Sequence, residues 1–304
     1  MRTTTLADLG EDRLVAQLSS LLASGPSVRT GIGDDCAVLG PRNAPLWQLL
    51  KTDAVVEGVH FTPDTAPRRI GWKALCRPIS DIAAMGGSPE HALVTIAARR
   101  DLPAAWLRAL YRGIEAAARR FGVHVVGGET ARSPGPLFLS IALTGSVPRP
   151  HCVLRSGGRP GDALYVTGRL GGSLAGHHLD FIPRLEEARW LVSNFKPRAM
   201  MDLSDGIGSD LPRLAAASHC GFHLDEEKIP RNPGCSLAQA LGDGEDFELL
   251  FALPPRRCAA LEAAWKTTFP RLPLSRIGAL TPPTRATKRT PHNAPAAHGF
   301  DHFA

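Results

Sequence analysis

Aromatic side chains are scarce in this chain, at 6% of 304 residues, and its six cysteines are scattered with no Cys-x-x-Cys pair. Isolated thiols exclude a disulfide framework and the paired ligands of a structural zinc site. They fit a reducing compartment, so a cytoplasmic location is expected. The formal charge of +6 is spread over dispersed arginines, with one short basic run at Arg285–Arg289. A nucleic-acid surface would gather such residues among aromatics, so no nucleic-acid partner is expected. An anionic small substrate suits the excess better. No apolar run reaches membrane-spanning length, and Thr3, Thr4, Thr5 and Asp8 do not make a signal peptide, so no membrane partner is expected. Also missing are the Gly-x-Ser-x-Gly elbow, the His-Glu-x-x-His zinc helix and the glycine-rich Lys-Ser/Thr phosphate loop.

What is present is ample material for a core, at 43% hydrophobic residues, and a repeated placing of acids beside glycines. The stretch Thr30–Leu39 reads Thr-Gly-Ile-Gly-Asp-Asp-Cys-Ala-Val-Leu. Two glycines permit a tight turn, two carboxylates follow, and a strand-like apolar run comes next. Comparable clusters put Asp34, Asp35, Asp53, Asp81, Glu129, Asp202, Asp205 and Glu245 at strand ends or next to glycines. Taken singly, each has a plain structural use. Asp202 or Asp205 could cap the next helix, Glu129 could end a strand, and Asp81 could lie on an exposed helix face. Taken together, they sit where α/β folds keep binding groups, at the handover from strand to loop. Several carboxylates without a nucleophile–base pair suit a site for more than one Mg²⁺. Such ions neutralise polyphosphate oxygens, and glycine turns offer N–H groups to the same phosphates.

Periodicity predicts a helix over 11–22 with Leu14, Val15, Leu18, Leu21 and Leu22 on one face. A strand-like run over 46–56 is interrupted at Lys51-Thr52-Asp53. A helix over 69–85 and a strand over 91–98 follow, then a helix opened by Pro103. A strand at 123–126 is expected to end at Gly127–Thr130, and another covers 137–145. The pattern pauses at Pro148–Pro150, which divides the chain into expected domains over 1–148 and 149–304. In the second, strands are expected at 162–167, 200–203, 221–224 and 247–253. Helices are expected to open at Gly171–Ser173 and to cover 184–192, 210–218 and 255–265. Residues 281–298, rich in proline, threonine and alanine, are expected to be loose. Alternating strands and helices indicate an α/β or α+β fold.

Ordered along the chain are GIGDDCA at 31–37, Thr52-Asp53, GVHF at 58–61, SDIAAMG at 80–86, GGET at 127–130 and RSGG at 155–158. PGD at 160–162, DLSDG at 202–206, GEDFE at 244–248 and GFDHF at 299–303 continue the series. In this order the motifs resemble the thiamine-monophosphate kinase family, within the superfamily of aminoimidazole ribonucleotide synthetase and selenophosphate synthetase. The resemblance covers nearly the whole chain. It implies an α/β (α+β) fold of two domains. The first would bind ATP and metal and contribute its sheet to the barrel of a homodimer; the second would be a C-terminal α/β domain. It implies ATP-dependent phosphorylation of thiamine monophosphate to thiamine diphosphate with several Mg²⁺ ions. By position, Asp35, Thr52, Asp53, Asp81, Glu129, Asp202 and Asp205 would ligate metal. Gly128, Glu129, Arg155 and Ser204 would contact ATP, and His60, Glu245 and Phe300 would contact thiamine monophosphate. No catalytic group beyond these ligands is implied. The acceptor is a phosphate oxygen already ionised near neutral pH, and the difficulty is the repulsion between two phosphorylated molecules brought into line.

Four features depart from the family pattern, one of them the segment 281–298, which looks eroded and polar. Lys51 stands where the family usually has a small hydroxyl residue at one metal site, and Glu129 stands where aspartate is usual. The chain between Lys196-Pro197-Arg198 and Asp202 is shorter, by what reads as a helix. Two other readings remain open: a related ATP-dependent enzyme with another acceptor, and an inactive nucleotide-binding dimer.

Overall fold

The structure, a computed structural model, describes residues 4–283 and residue 300. The helices α1 (Leu6–Leu9) and α2 (Glu11–Ser19) lead into the strands β1 (Val28–Thr30), β2 (Ala37–Leu39) and β3 (Leu46–Val56). Next come α3 (Pro67–Ala84), β4 (Ser88–Ala98), α4 (Ala104–Phe121), β5 (His124–Arg132) and β6 (Phe138–Pro148). The remainder comprises β7 (Ala163–Thr167), α5 (His177–Asp180), α6 (Leu185–Asn194), β8 (Ala199–Asp202), α7 (Ile207–Ala217) and β9 (Gly221–Leu224). It closes with α8 (Leu237–Gly242), β10 (Leu249–Leu253), α9 (Pro255–Thr268) and β11 (Leu274–Thr281).

Two sheets organise these elements, in the orders β1-β2-β3-β6-β4-β5 and β8-β10-β7-β11-β9. Every pairing is antiparallel except β4 with β5, which makes the architecture α+β. In β6 the residues alternate strictly, with Leu139, Ile141, Leu143 and Val147 buried on one face. That period of two marks a sheet with helices on one side.

The helix α3 fills the middle. It packs on β3 and β6 of the first sheet and also touches α6 and β8 of the second. The residues Ile70, Ala74, Leu75, Ile79 and Ile82 are all fully buried along it. Its partner α4 lies unusually near because glycines meet across the seam. A Cβ on Gly71 would come within 2.0 Å of the Leu110 carbonyl, and one on Gly113 within 1.9 Å of the Arg68 carbonyl. Neither position can carry a side chain without separating the helices.

Several expectations need correction. The strand β3 is continuous through Lys51-Thr52-Asp53, because Lys51 and Asp53 pair on one face while Thr52 turns to the other. Likewise β5 runs on through Gly127–Thr130 to Arg132 instead of ending there. The absence of a Cβ at Gly128 lets the strands approach, since one there would meet the Val94 carbonyl oxygen at 1.9 Å. Gly171–Ser173 opens only a 3-10 turn over Ser173–Ala175, and α5 begins at His177. The apolar face of the first helical segment is exposed, with Val15, Leu18, Leu21 and Leu22 all open to solvent. Phe195–Arg198 joins α6 directly to β8. Of the segment 281–298, residues 284–298 lie outside the described residues, as do all of Gly299–Phe303 except Phe300.

Candidate active site

Three acids from three distant elements converge between the sheets. Asp35 lies in the loop between β1 and β2, Asp81 on α3 and Asp202 at the end of β8. Each is buried, and one carboxylate oxygen from each lies within 4.8 Å of the others. Burial of like charges raises the protonation constants. Asp81 is pushed well above the ordinary carboxylate range, first by burial. Asp202 is pushed up to about 7 by burial and by Asp35, with a hydrogen bond from Ser80 opposing. Three carboxylates held this close repel one another unless cations intervene.

Two cations of the chain itself do so in part. The Arg155 guanidinium donates from Nε and Nη2 to Asp35 Oδ1 at 3.0 and 2.5 Å. Its backbone N–H is held in turn by the Asp34 carboxylate at 3.2 Å. On the other side, Lys51 Nζ lies 2.7 Å from Asp81 Oδ1 and 3.8 Å from Asp53 Oδ1. One acceptor remains unused: Asp35 Oδ2 is buried without a hydrogen-bond partner among the described residues. An unpartnered buried carboxylate oxygen beside two further carboxylates is a donor set for a hard divalent cation.

Beside this cluster lies a cavity of about 100 Å³, lined by His60, Arg77, Ser204, Asp205, Glu245 and Phe300 among others. A neighbouring cavity of about 370 Å³ shares His60, Leu174 and Glu245 with it. Glu245 adopts a left-handed backbone with φ of 53°, as does Phe247 at 51°. A non-glycine residue rarely takes this conformation without being held there. Here the Glu245 N–H donates to the Ser204 carbonyl at 2.7 Å, and the carboxylate accepts from Lys73 Nζ at 2.7 Å. The same ammonium donates to the His60 carbonyl at 2.7 Å, so one buried lysine ties two sides of the cavity together. Burial lowers the Lys73 protonation constant to about 8, against the pull of Glu245. The Phe300 N–H donates to the Asp205 carbonyl at 3.1 Å, which brings Phe300 to this wall.

The expected site residues therefore fall into groups. Asp35, Asp81 and Asp202 come together, with Asp53 joined through Lys51 and Arg155 joined through Asp35. His60, Ser204, Asp205, Glu245 and Phe300 share one cavity. The Asp205 carboxylate is engaged by Arg213 and stands outside the three-acid group. Thr52 faces the opposite side of β3, with Oγ1 3.1 Å from Ser140 Oγ. Gly128 and Glu129 lie on β5, the exposed edge of the first sheet. Sequence reasoning missed Lys73, whose only local signal was a charge on the apolar side of α3. It also missed the fully buried Asp210, which accepts the Asp205 N–H at 3.0 Å.

The chain is similar to known proteins over most of its length. Residues 33–147 match the family described as AIR synthase related protein, N-terminal domain. A thiamine-monophosphate kinase of Rhodopirellula baltica is 37% identical, with 92% of each chain covered. That of Salmonella typhimurium is 34% identical, covering 97% of this chain and 98% of the relative. A solved structure described as AaThiL complexed with AMPPCP and TMP superposes with a TM-score of 0.83 at 28% identity, over 99% of this chain and 100% of the other.

Proposed function

The chain belongs to the thiamine-monophosphate kinase family, and on that premise we propose that it transfers the terminal phosphoryl group of ATP to thiamine monophosphate, yielding thiamine diphosphate. The observation that carries this reading is the convergence of Asp35, Asp81 and Asp202 within 4.8 Å. Their fit to Mg²⁺ rests on donor chemistry: every ligand is a carboxylate oxygen, and one of them is buried without a partner. Bound Mg²⁺ supplies neutralisation of phosphate oxygens and screens the repulsion between donor and acceptor. Asp35, Asp53, Asp81 and Asp202 would hold it; the family pattern also names Thr52, Glu129 and Asp205, of which Thr52 turns its hydroxyl to the other face of β3 and Asp205 pairs with Arg213.

The chain's own residues do the positioning. Arg155 orients Asp35 and offers its fork to phosphate oxygens, with Ser204 and the backbone at Gly128 as further ATP contacts. His60, Glu245 and Phe300 would receive thiamine monophosphate, Phe300 stacking on the cationic ring and Glu245 pairing with its charge. Lys73 locks the Glu245 side chain in place. The acceptor oxygen arrives ionised, so the chain's task is alignment and exclusion of water.

The reading includes a homodimer in the cytoplasm. Supporting the dimer is the open edge β5, where Val126 is 60% exposed beside Val125 and the neighbouring Leu93. An unprotected apolar edge strand calls for pairing. Among the described residues no helix is long and apolar enough to cross a membrane. The decisive experiment is an assay of the purified chain with ATP, Mg²⁺ and thiamine monophosphate, with thiamine diphosphate measured directly. Absence of that product at saturating substrates would refute the assignment.

A further inference from the structure

The feature of this site that belongs to the chain itself is Lys51. Its side chain is largely buried, and it approaches the acid cluster along β3 on the same face as Asp53. The ammonium stops between two carboxylates, 2.7 Å from Asp81 Oδ1 and 3.8 Å from Asp53 Oδ1. That corner is where a divalent cation bridging Asp53 and Asp81 would have to sit. Strand pairing fixes where the side chain starts, with Lys51 registered against Leu143 in a ladder from Leu46 to Val56, and the hydrogen bond to Asp81 holds its ammonium.

Charge bookkeeping points the same way. Once fully ionised, as cation binding requires, Asp35, Asp53, Asp81 and Asp202 would carry four negative charges, against two positive ones on Arg155 and Lys51. The two remaining charges match one divalent ion. That ion has a donor waiting at Asp35 Oδ2, which is buried without a hydrogen-bond partner and which Lys51 does not contact. With a neutral residue at position 51, three negative charges would remain around the same space, and one ion would leave the Asp53–Asp81 corner uncompensated.

We propose that Lys51 is a built-in cation that takes the place of one divalent ion between Asp53 and Asp81. This chain would then run its site with one metal ion fewer than the carboxylate set alone would hold. The proposal rests on the kinase reading for the identity of the ions, but its geometry concerns only the chain's own residues. A tethered ammonium differs from Mg²⁺ in two respects. It cannot dissociate, so its charge is present at every Mg²⁺ concentration. It also offers three hydrogen-bond donors in place of an octahedral coordination shell, so it can steady a carboxylate or a phosphate oxygen without ligating water.

The test is a count of ions. Mn²⁺ titrated into the full chain in the presence of a non-hydrolysable ATP analogue, with free Mn²⁺ read by electron paramagnetic resonance, gives the number bound per chain. Lys51→Ser is expected to bind one Mn²⁺ more than the unaltered chain, whereas Lys51→Arg, which keeps a cation, should keep the original number. Lys51→Gln serves as the second neutral variant, and thermal melting confirms that each chain tested is folded. An identical count in the unaltered chain and in a folded neutral variant overturns the proposal, as does an extra ion in Lys51→Arg. Failure of the unaltered chain to phosphorylate thiamine monophosphate would instead overturn the kinase reading and leave the ion count standing.

Discussion

Both guanidinium contacts of Arg155 fall on a single oxygen of Asp35, leaving the other oxygen buried and unpartnered. Arg155 thereby fixes the carboxylate and leaves its other oxygen free in the group that Asp35 forms with Asp81 and Asp202. A lysine cannot reproduce this hold, since it lacks the planar fork. Arg155→Lys should lower kcat/KM for ATP by roughly 10-fold to 100-fold, as loss of a group that orients metal ligands does. Steady-state kinetics with ATP varied will show it. An unchanged value would mean that Asp35 needs no orienting partner.

Asp81 is the acid shared by both halves of the cluster. Asp81→Asn preserves volume and removes a charge that Lys51 and the ion both use. Turnover should fall by on the order of 10²-fold to 10³-fold, the cost of losing one preorganised electrostatic contact to the transition state. Far-ultraviolet circular dichroism should be unchanged, since the site is assembled by packing around it.

The metal-free chain should be sensitive to pH in a predictable direction. Burial, and then the charge of Asp35, raise Asp34 to about 6 and Asp202 to about 7. Between pH 4 and these values the folded state binds more protons than the unfolded state. Their contribution to stability is therefore complete below the ordinary carboxylate value and is lost as pH rises through 6 and 7. On the proposed reading, a bound divalent cation would replace the protons. Melting temperatures recorded with and without Mg²⁺ should diverge as pH rises, with the larger gain near pH 8 than near pH 5. A gain independent of pH would contradict the linkage.

Glu245 and Lys73 form an ion pair whose lysine is fully buried, 172 residues away along the chain. Glu245→Gln leaves that ammonium without its countercharge, a loss on the order of 3 kcal/mol at neutral pH if none of it is relieved by deprotonation. Lys73 already titrates near 8. Above that pH it is neutral, so the gap between the variant and the unaltered chain should narrow as pH is raised from 7 to 9. Urea denaturation across that range measures the gap, and the KM for thiamine monophosphate should rise in the same variant.

Much of the site was written locally. Glycine beside aspartate at 31–37, 202–206 and 244–248 marks turns that carry acids, because turn chemistry and metal-ligand chemistry depend on adjacent residues. The helix α3 and most strands of both sheets were legible for the same reason, since hydrophobic period is a local property. The end of β5 was not, because a glycine pair reads as a terminator until a neighbouring strand presses close enough to need it.

The residue types alone excluded a glycine-lysine phosphate loop and determined where along the chain the carboxylates stand. Tertiary structure decided which of them meet. Asp35, Asp81 and Asp202 converge because α3 lies between two sheets, and Thr52 faces away from them because a strand turns alternate residues to opposite sides. Burial, and with it the raised protonation constants of Asp81 and Asp202 and the hold of Lys73 on Glu245, is created only when segments far apart in sequence exclude water together.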